Sequence, residues 1–264
     1  MLLISSTVVT VNYPGPGVNK KIFRYNLGVR RAQGWRRAPL LSDFLTMTEG
    51  GGMPRIDDYK AAIALAVAEL QQINPKRLEN RTGAQHFVEA AHEGLLVPYF
   101  GQARRITWPG VMVTPGDGQK EIPLTEQILI LHYLLHASGE PLTGRTVDFR
   151  QVPEGGFYWS AFVSRAKNPL LATFGHDLPL YEQVAASLGG EALFLGDAAA
   201  RFLAFPRVPV THVLWGGDEE FPPEATILFD ETIPSYLPTE DIAALSGASV
   251  YRLMGAAHQR RQGR

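Results

Sequence analysis

The sequence predicts an α+β protein with a single globular domain, a mixed or antiparallel sheet around a buried central helix, and an irregular N-terminal tail. Of its 264 residues, 45% are hydrophobic and 19% are charged, enough for a well-buried core. Helix-like and strand-like stretches alternate unevenly, without the regular βαβ order of a parallel sheet. Residues 123–138 are apolar on nearly every side, as a central helix would be.

The first 52 residues differ from the rest in composition. They contain a Pro-Gly-Pro-Gly run and three consecutive glycines, and they hold seven of the 25 Lys and Arg but two of the 26 acids. Such a segment is typical of a disordered basic tail. Alternatively, the codons for Glu49-Gly-Gly-Gly resemble a ribosome-binding site, and the native protein starts at Met53. Both interpretations predict a boundary between 1–52 and a domain at 53–264.

The first half of the domain is predicted to contain two helices and a hairpin before the central helix. An apolar stripe over 59–73 fits one face of an amphipathic helix. Asn74 as cap and Pro75 in the first turn predict a second helix that ends near Gly83. Alternating runs on either side of residues 101–102 predict a β-hairpin, which 111–113 extends.

The second half is predicted to mix helices and strands. Thr239 begins the last helix, and Glu240 and Asp241 are favourable in its first turn because they face the positive end of the helix dipole. The other predicted elements are helices at 156–165 and 180–188 and strands at 201–205, 208–214 and 225–229.

Composition excludes several classes of function. The chain has no cysteine, so it forms no disulfide and supplies no thiolate for catalysis or for an iron–sulfur cluster. The longest apolar run, 128–135, is too short to cross a bilayer, and the N-terminus does not follow the pattern of a signal peptide. The acidic body argues against nucleic acid as a partner. We therefore expect a cytoplasmic protein.

Two histidines on the predicted central helix are candidate ligands. His132 and His136 are four residues apart, so both imidazoles project from one helix face, as metal ligands do. A third ligand would come from His176, His212 or the acidic loop described next. The alternative is a hydrogen-bonded pair in the core or at an interface. One axial histidine would suffice for a tetrapyrrole metal, which makes a corrinoid or heme a candidate cofactor.

The run from Leu214 to Asp230 combines glycines, prolines, aromatics and acids, and it predicts a strand, a shaped loop and a second strand. Gly216 and Gly217 predict tight turns. The loop acids at Asp218–Glu224 could bind a divalent cation or perform acid–base chemistry, or they could form a solvated turn that caps backbone amides. The candidate metal ligands are Asp218, Glu219, Glu220 and Asp230.

Large rings cluster after Gly155-Gly156. Tyr158 and Trp159 could form a stacking wall for a flat ligand, or they could anchor the core. Arg150 beside them could hold a carboxylate or phosphate. Trp215 is a further candidate ligand contact, next to the acidic loop.

A series of short segments, in order, resembles one family. The segments are Leu131-His-Tyr-Leu134, Pro141-Leu-Thr-Gly144, Phe149-Arg150, Gly155-Gly-Phe-Tyr158, Phe174-Gly175, Gly196-Asp197, Phe205-Pro-Arg207, Leu214-Trp215, Asp218-Glu-Glu-Phe-Pro222, Leu228-Phe-Asp230 and Leu237-Pro-Thr-Glu-Asp241. They resemble the uncharacterised family catalogued as domain of unknown function 3786, over about 57–253. The resemblance implies a setting in anaerobes, with some members fused to an iron–sulfur domain of the kind found in corrinoid proteins. This chain has neither that domain nor cysteine, and the family implies no catalytic residue.

The function expected from these observations is a ligand-binding or accessory protein of anaerobic metabolism, linked to a corrinoid or another tetrapyrrole. Its partner would be a small molecule or another protein of that metabolism. The alternative is a small-molecule enzyme that uses the acidic loop, with or without a divalent cation.

Overall fold

The computed structural model describes residues 8–9, 23–24, 56–89, 92–116 and 121–263. Contacts within the chain divide it into two units, at 1–37 and 38–264. In the first unit, strand β1 (Val8–Val9) pairs antiparallel with β2 (Phe23–Arg24). The predicted boundary at residue 52 and the proposed start at Met53 lie outside the described residues.

The second unit begins with two helices and an antiparallel sheet. Helix α1 (Ile56–Leu70) is followed by α2 (Pro75–Thr82), where the side chain of Asn74 caps the first turn and Gly83 ends the helix at a φ of 68°. The sheet has the order β3-β4-β5-β6. Its strands are β3 (Gln85–Glu89), β4 (His92–Tyr99), β5 (Gln102–Trp108) and β6 (Met112–Pro115).

A second antiparallel sheet has the order β7-β11-β10-β9-β8. Its strands are β7 (Thr146–Asp148), β8 (Glu191–Ala192), β9 (Ala198–Phe205), β10 (Val208–Trp215) and β11 (Glu224–Asp230). The amide of Phe100, just after β4, donates to the carbonyl of Ala204 in β9 and so connects the two sheets.

Helix α3 (Leu124–His136) is buried along most of its length and packs against α1. Its Tyr133 ring stacks on Phe205 of β9, with 4.2 Å between centroids. The remaining helices are α4 (Gly155–Phe162), α5 (Asn168–Phe174), α6 (Leu178–Ser187) and α7 (Thr239–Gln262), with a π-helical turn at Val163–Lys167 between α4 and α5. Helix α7 is buried through most of its first three turns and packs on α4, α5 and α6.

The structure confirms the α+β class, with antiparallel pairing in both sheets and a buried helix at the centre. In two places the prediction is incomplete: 156–165 belongs to a longer helical stretch that continues to Phe174, and the short strands β3, β7 and β8 were not predicted. Across the described residues, the helices are all too short or too polar to cross a bilayer.

Candidate functional site

His132 lies on α3 and contacts the first turn of α7. Its Nδ1 is 2.6 Å from Oδ2 of Asp241, and the two residues are 4% and 2% exposed. Because α7 begins at Thr239, Asp241 lies near the positive end of the helix dipole, where a carboxylate is stabilised. The pair therefore joins two helices that are far apart in the sequence.

The charges around His132 determine its protonation. Burial lowers the pKa of the imidazole, but the Asp241 carboxylate, its hydrogen bond, and the carboxylates of Glu240 and Glu69 outweigh this, so the pKa is raised. At neutral pH more of His132 is charged than of a free histidine. An imidazolium has no free lone pair for a metal, so Asp241 makes His132 a weaker ligand.

His136 is half-buried and lies beside His132, with 5.9 Å between ring centroids in an edge-to-face arrangement. The four-residue spacing does bring the two rings together. Within the described ranges, however, no three His, Cys, Asp or Glu side chains are grouped so that they could hold a metal ion. The third ligand expected from His176, His212 or the acidic loop is not in place.

The acidic loop forms a local turn. Oδ1 of Asp218 accepts hydrogen bonds from the amides of Glu220, at 2.9 Å, and Phe221, at 2.7 Å. These bonds lower the pKa of the Asp218 carboxyl. Glu219 and Glu220 are exposed. Asp218 therefore adopts the capping role that the sequence left open beside metal binding.

Neither Gly216 nor Gly217 of this loop has a positive φ, so neither is needed for a left-handed backbone conformation. Gly217 instead lies so close to Pro223 that an added Cβ would be 2.6 Å from its Cδ. The residue is required by close approach of the chain and not by a left-handed turn.

Asp230 is a buried hydrogen-bond acceptor at the far end of β11 from the loop. It accepts from the amides of Gly144, at 2.8 Å, and Thr232, at 3.1 Å, and from the Thr232 hydroxyl at 2.8 Å. Burial raises the pKa of its carboxyl, but these bonds outweigh that effect and lower it. β11 spans about 20 Å at roughly 3.3 Å per residue, so Asp230 and Asp218 are not brought together.

The predicted aromatic segment is largely engaged in internal packing. The guanidinium of Arg150 lies 4.0 Å from the ring centroid of Trp159, which stacks on Phe162. Tyr158 is half-buried on the same helix. Trp215 is 40% exposed at the end of β10, where it pairs with Glu224 beside the acidic loop. The structure thus brings Arg150 and Trp159 together and places Trp215 elsewhere.

A depression of about 760 Å³ lies on the second sheet, around the start of β10 and the end of β11. Apolar side chains form most of its wall, and Arg201, Glu191 and Asp230 supply charge. Leu203, on β9, is 56% exposed there. The apolar and glycine residues of the wall are Phe100, Gly101, Leu142, Gly144, Leu188, Gly189, Phe202, Leu203 and Pro209.

The depression is held open by the Asp230 hydrogen bonds, which fix the loop at 142–144 against the end of β11. At Gly144 the backbone has a φ of 77°, a left-handed conformation that glycine adopts without strain. His132, Trp159 and Asp218 do not line this depression.

Residues 74–252 match the family described as Domain of unknown function (DUF3786). The chain belongs to this family. The DUF3786 region contains both members of the His132–Asp241 pair and every residue that lines the depression. No curated protein and no solved structure matches the chain.

Sequence reasoning did not identify the depression. Its wall comes from six separate parts of the chain, and singly exposed residues such as Leu203 give no pattern in the sequence. The one usable signal was local: Pro141-Leu-Thr-Gly144 and Leu228-Phe-Asp230 were both among the segments that resemble the family. Their contact through Asp230 places them at one edge of the depression.

Proposed function

We propose that this DUF3786 protein is a ligand-binding or accessory protein and that its ligand occupies the depression beside Leu203. The observation that carries the proposal is the combination of size and lining. About 760 Å³ lies within the range of roughly 300–1,000 Å³ that is usual for small-molecule sites, and the wall is mainly apolar with a few polar groups.

Binding is favoured over the enzyme alternative because two of the acids considered for that alternative, Asp218 and Asp230, already hold the backbone around them. Asp218 caps its own turn, and Asp230 holds the 142–144 loop. A reaction at these carboxylates would have to break the bonds that shape the surrounding backbone.

A tetrapyrrole remains a candidate ligand, in the anaerobic setting that the family resemblance implies. Ligation by His132 would use Nε2, with Asp241 on Nδ1, an arrangement common to metal-binding histidines. Because His132 is buried and carries a raised pKa, such ligation would require Nε2 to become accessible and the ring to be deprotonated. Binding in the depression requires neither change.

The full chain should be titrated with hemin, aquacobalamin and the apolar dye anilinonaphthalene sulfonate, followed by absorbance or fluorescence. We expect saturable binding of at least one probe, weakened at least about tenfold in Leu203→Glu, because a carboxylate would enter an apolar wall. Met112→Glu, an equally exposed apolar residue on β6, is the matched control and should bind normally.

Three results would count against the proposal: no saturable binding of any probe, equal binding by Leu203→Glu, or equal loss in Met112→Glu. A hemin or aquacobalamin signal that is lost in His132→Gln and kept in Leu203→Glu would instead assign the ligand to His132.

A further inference from the structure

A second cavity, of about 410 Å³, lies between α6 and the segment that carries β8 and the start of β9. Its wall is formed largely by residues without a long side chain, among them Ala185, Ala186, Gly190, Ala192 and Ala199. Small residues on both sides keep this space empty of protein atoms. The cavity shares no lining residue with the depression beside Leu203.

Tyr181 lines this cavity and supplies a polar group. Its side chain is fully buried, and no described residue accepts a hydrogen bond from its hydroxyl. Burial raises the pKa of the phenol, partly offset by a backbone hydrogen bond from Ala200, which also lines the cavity. A buried hydroxyl whose proton has no acceptor costs about 1–3 kcal/mol, so such groups usually have a partner such as a ligand or a water molecule.

His212 lies behind the same wall, because it is the cross-strand partner of Ala200. Its ring centroid is 6.5 Å from that of Tyr181. The Ser249 hydroxyl donates to the carbonyl of Ser246, so Nε2 of His212 carries the proton and donates to Ser249 at 2.8 Å. Nδ1 is then an acceptor, and among the described residues it has no donor.

The electrostatics of the cavity disfavour an anionic ligand. Burial lowers the pKa of His212 to about 3, so the imidazole is neutral and offers no cation to an anionic ligand. Glu182 and Asp197 also line the cavity and would repel an anion. The polar group considered for the ligand is therefore the Tyr181 hydroxyl, whose residue lines the cavity.

We propose that this cavity is a second binding site, for a small uncharged organic molecule whose hydroxyl or amide group hydrogen-bonds to Tyr181 while its apolar body lies between the small residues of the wall. Hydroxyl and amide groups both donate and accept, so one such group satisfies the Tyr181 hydroxyl and presents a donor toward His212. A flat body fits because alanines and glycines allow close approach. The site is additional to the function proposed above.

The test uses three probes with the same ring: benzyl alcohol, benzamide and benzoate. Each is titrated into the ¹⁵N-labelled full chain, and amide shifts are followed by NMR. We expect the alcohol or the amide to shift resonances of residues 181–200 in a saturable manner, and benzoate to bind at least about tenfold more weakly.

Two variants locate the site. Ala186→Phe places a ring in the cavity from an exposed position and should abolish binding, whereas Ala64→Phe on the exposed face of α1 is the matched control and should bind normally. Tyr181→Phe retains the ring and should weaken binding about tenfold, which corresponds to one hydrogen bond of about 1.4 kcal/mol. Because no described residue accepts a hydrogen bond from the deleted hydroxyl, we expect this variant to fold.

The proposal is overturned if neither neutral probe binds, if benzoate binds as tightly as they do, or if Ala186→Phe or Tyr181→Phe binds like the wild type. Because the two cavities share no residue, Leu203→Glu should leave this binding unchanged. Failure here would therefore not bear on the depression.

Discussion

Two buried histidines in this protein are in opposite electrostatic states. His132 faces the carboxylate of Asp241, and its pKa is raised. His212 faces the hydroxyl of Ser249, and burial lowers its pKa to about 3. Both residues are nearly inaccessible to solvent. The comparison shows that the chemistry of the partner determines the charge of a buried imidazole, and burial alone does not.

The difference assigns the two residues different roles. His132 joins α3 to α7 through its hydrogen bond with Asp241, which is an ion pair when the imidazole is protonated. A neutral His212 has a lone pair that no donor among the described residues reaches, next to a cavity. The residue suggested by helical spacing is thus the one committed to the fold. The histidine with unused hydrogen-bonding capacity is on a strand.

Removal of the partner of His132 should have the largest effect. We expect Asp241→Ala to lower the free energy of unfolding by about 3 kcal/mol, because it leaves a buried imidazolium without its counter-ion. Urea denaturation followed by circular dichroism measures this loss. A loss under about 1 kcal/mol would show that His132 is not held as a charged group.

Acidification should destabilise the protein through His212. Its pKa is about 3 in the folded state, against 6.5 for an unperturbed histidine, so below pH 6.5 the unfolded chain takes up a proton that the folded chain does not. Stability should fall with pH in this window, by about 2 kcal/mol between pH 6.5 and 5. The measurement is the difference between wild type and His212→Phe in urea denaturation at the two pH values. If the stability of the two proteins changed in parallel with pH, His212 would not have the lowered pKa.

His132 should show the opposite dependence. Its folded pKa lies above that of the unfolded chain, so its stabilisation is fully present below pH 6.5 and is lost as the pH rises through the folded value. We expect wild type to lose stability relative to His132→Gln as the pH rises into the alkaline range, as measured by urea denaturation. If wild type instead gained stability relative to His132→Gln at alkaline pH, the pKa of His132 would be lowered by folding and not raised.

Loss of the partner of His212 should have a moderate effect. Ser249→Ala removes the acceptor of the Nε2 proton and should cost about 1 kcal/mol. Ser164→Ala, on the exposed surface of the π-helical turn, is the matched control and should be nearly neutral. If both changes have the same cost by thermal denaturation, the hydrogen bond to His212 contributes nothing.

The acidic loop should be the least sensitive region. Asp218→Ala removes two hydrogen bonds in an exposed turn, so we expect a smaller loss of stability than in the variants above, as measured by urea denaturation. A matched change at Glu219, which is exposed beside it, should be smaller still. A loss comparable to that of Asp241→Ala would indicate that the loop has a larger structural role.

Local patterns predicted much of the fold. Asn74, Pro75 and Gly83 defined α2 because caps and turns are set by neighbours in the sequence. The central helix was predicted because its residues are apolar all round. Helix α7 was predicted only by its start, since its buried face is built from small residues. For example, a Cβ added to Gly247 would lie 3.2 Å from the carbonyl oxygen of Arg165.

The candidate site was less predictable, because it depends on pairs that are distant in sequence. His132 was identified by its spacing from His136, but the partner that controls it is Asp241, 109 residues away. The four acids proposed as metal ligands came from one run of sequence. Strand β11 separates Asp230 from the loop, so closeness in sequence did not become closeness in space.

The most direct test of this account is an NMR titration of both imidazoles in the folded, ¹⁵N-labelled protein. Ring nitrogen shifts report the protonation of each histidine, and His132→Gln and His212→Phe assign the signals. We expect His132 to titrate with a midpoint above 6.5 and His212 to remain neutral at pH 5. Titration of both rings near 6.5, or a neutral His132 beside a charged His212, would contradict the claim that their partners determine their charge.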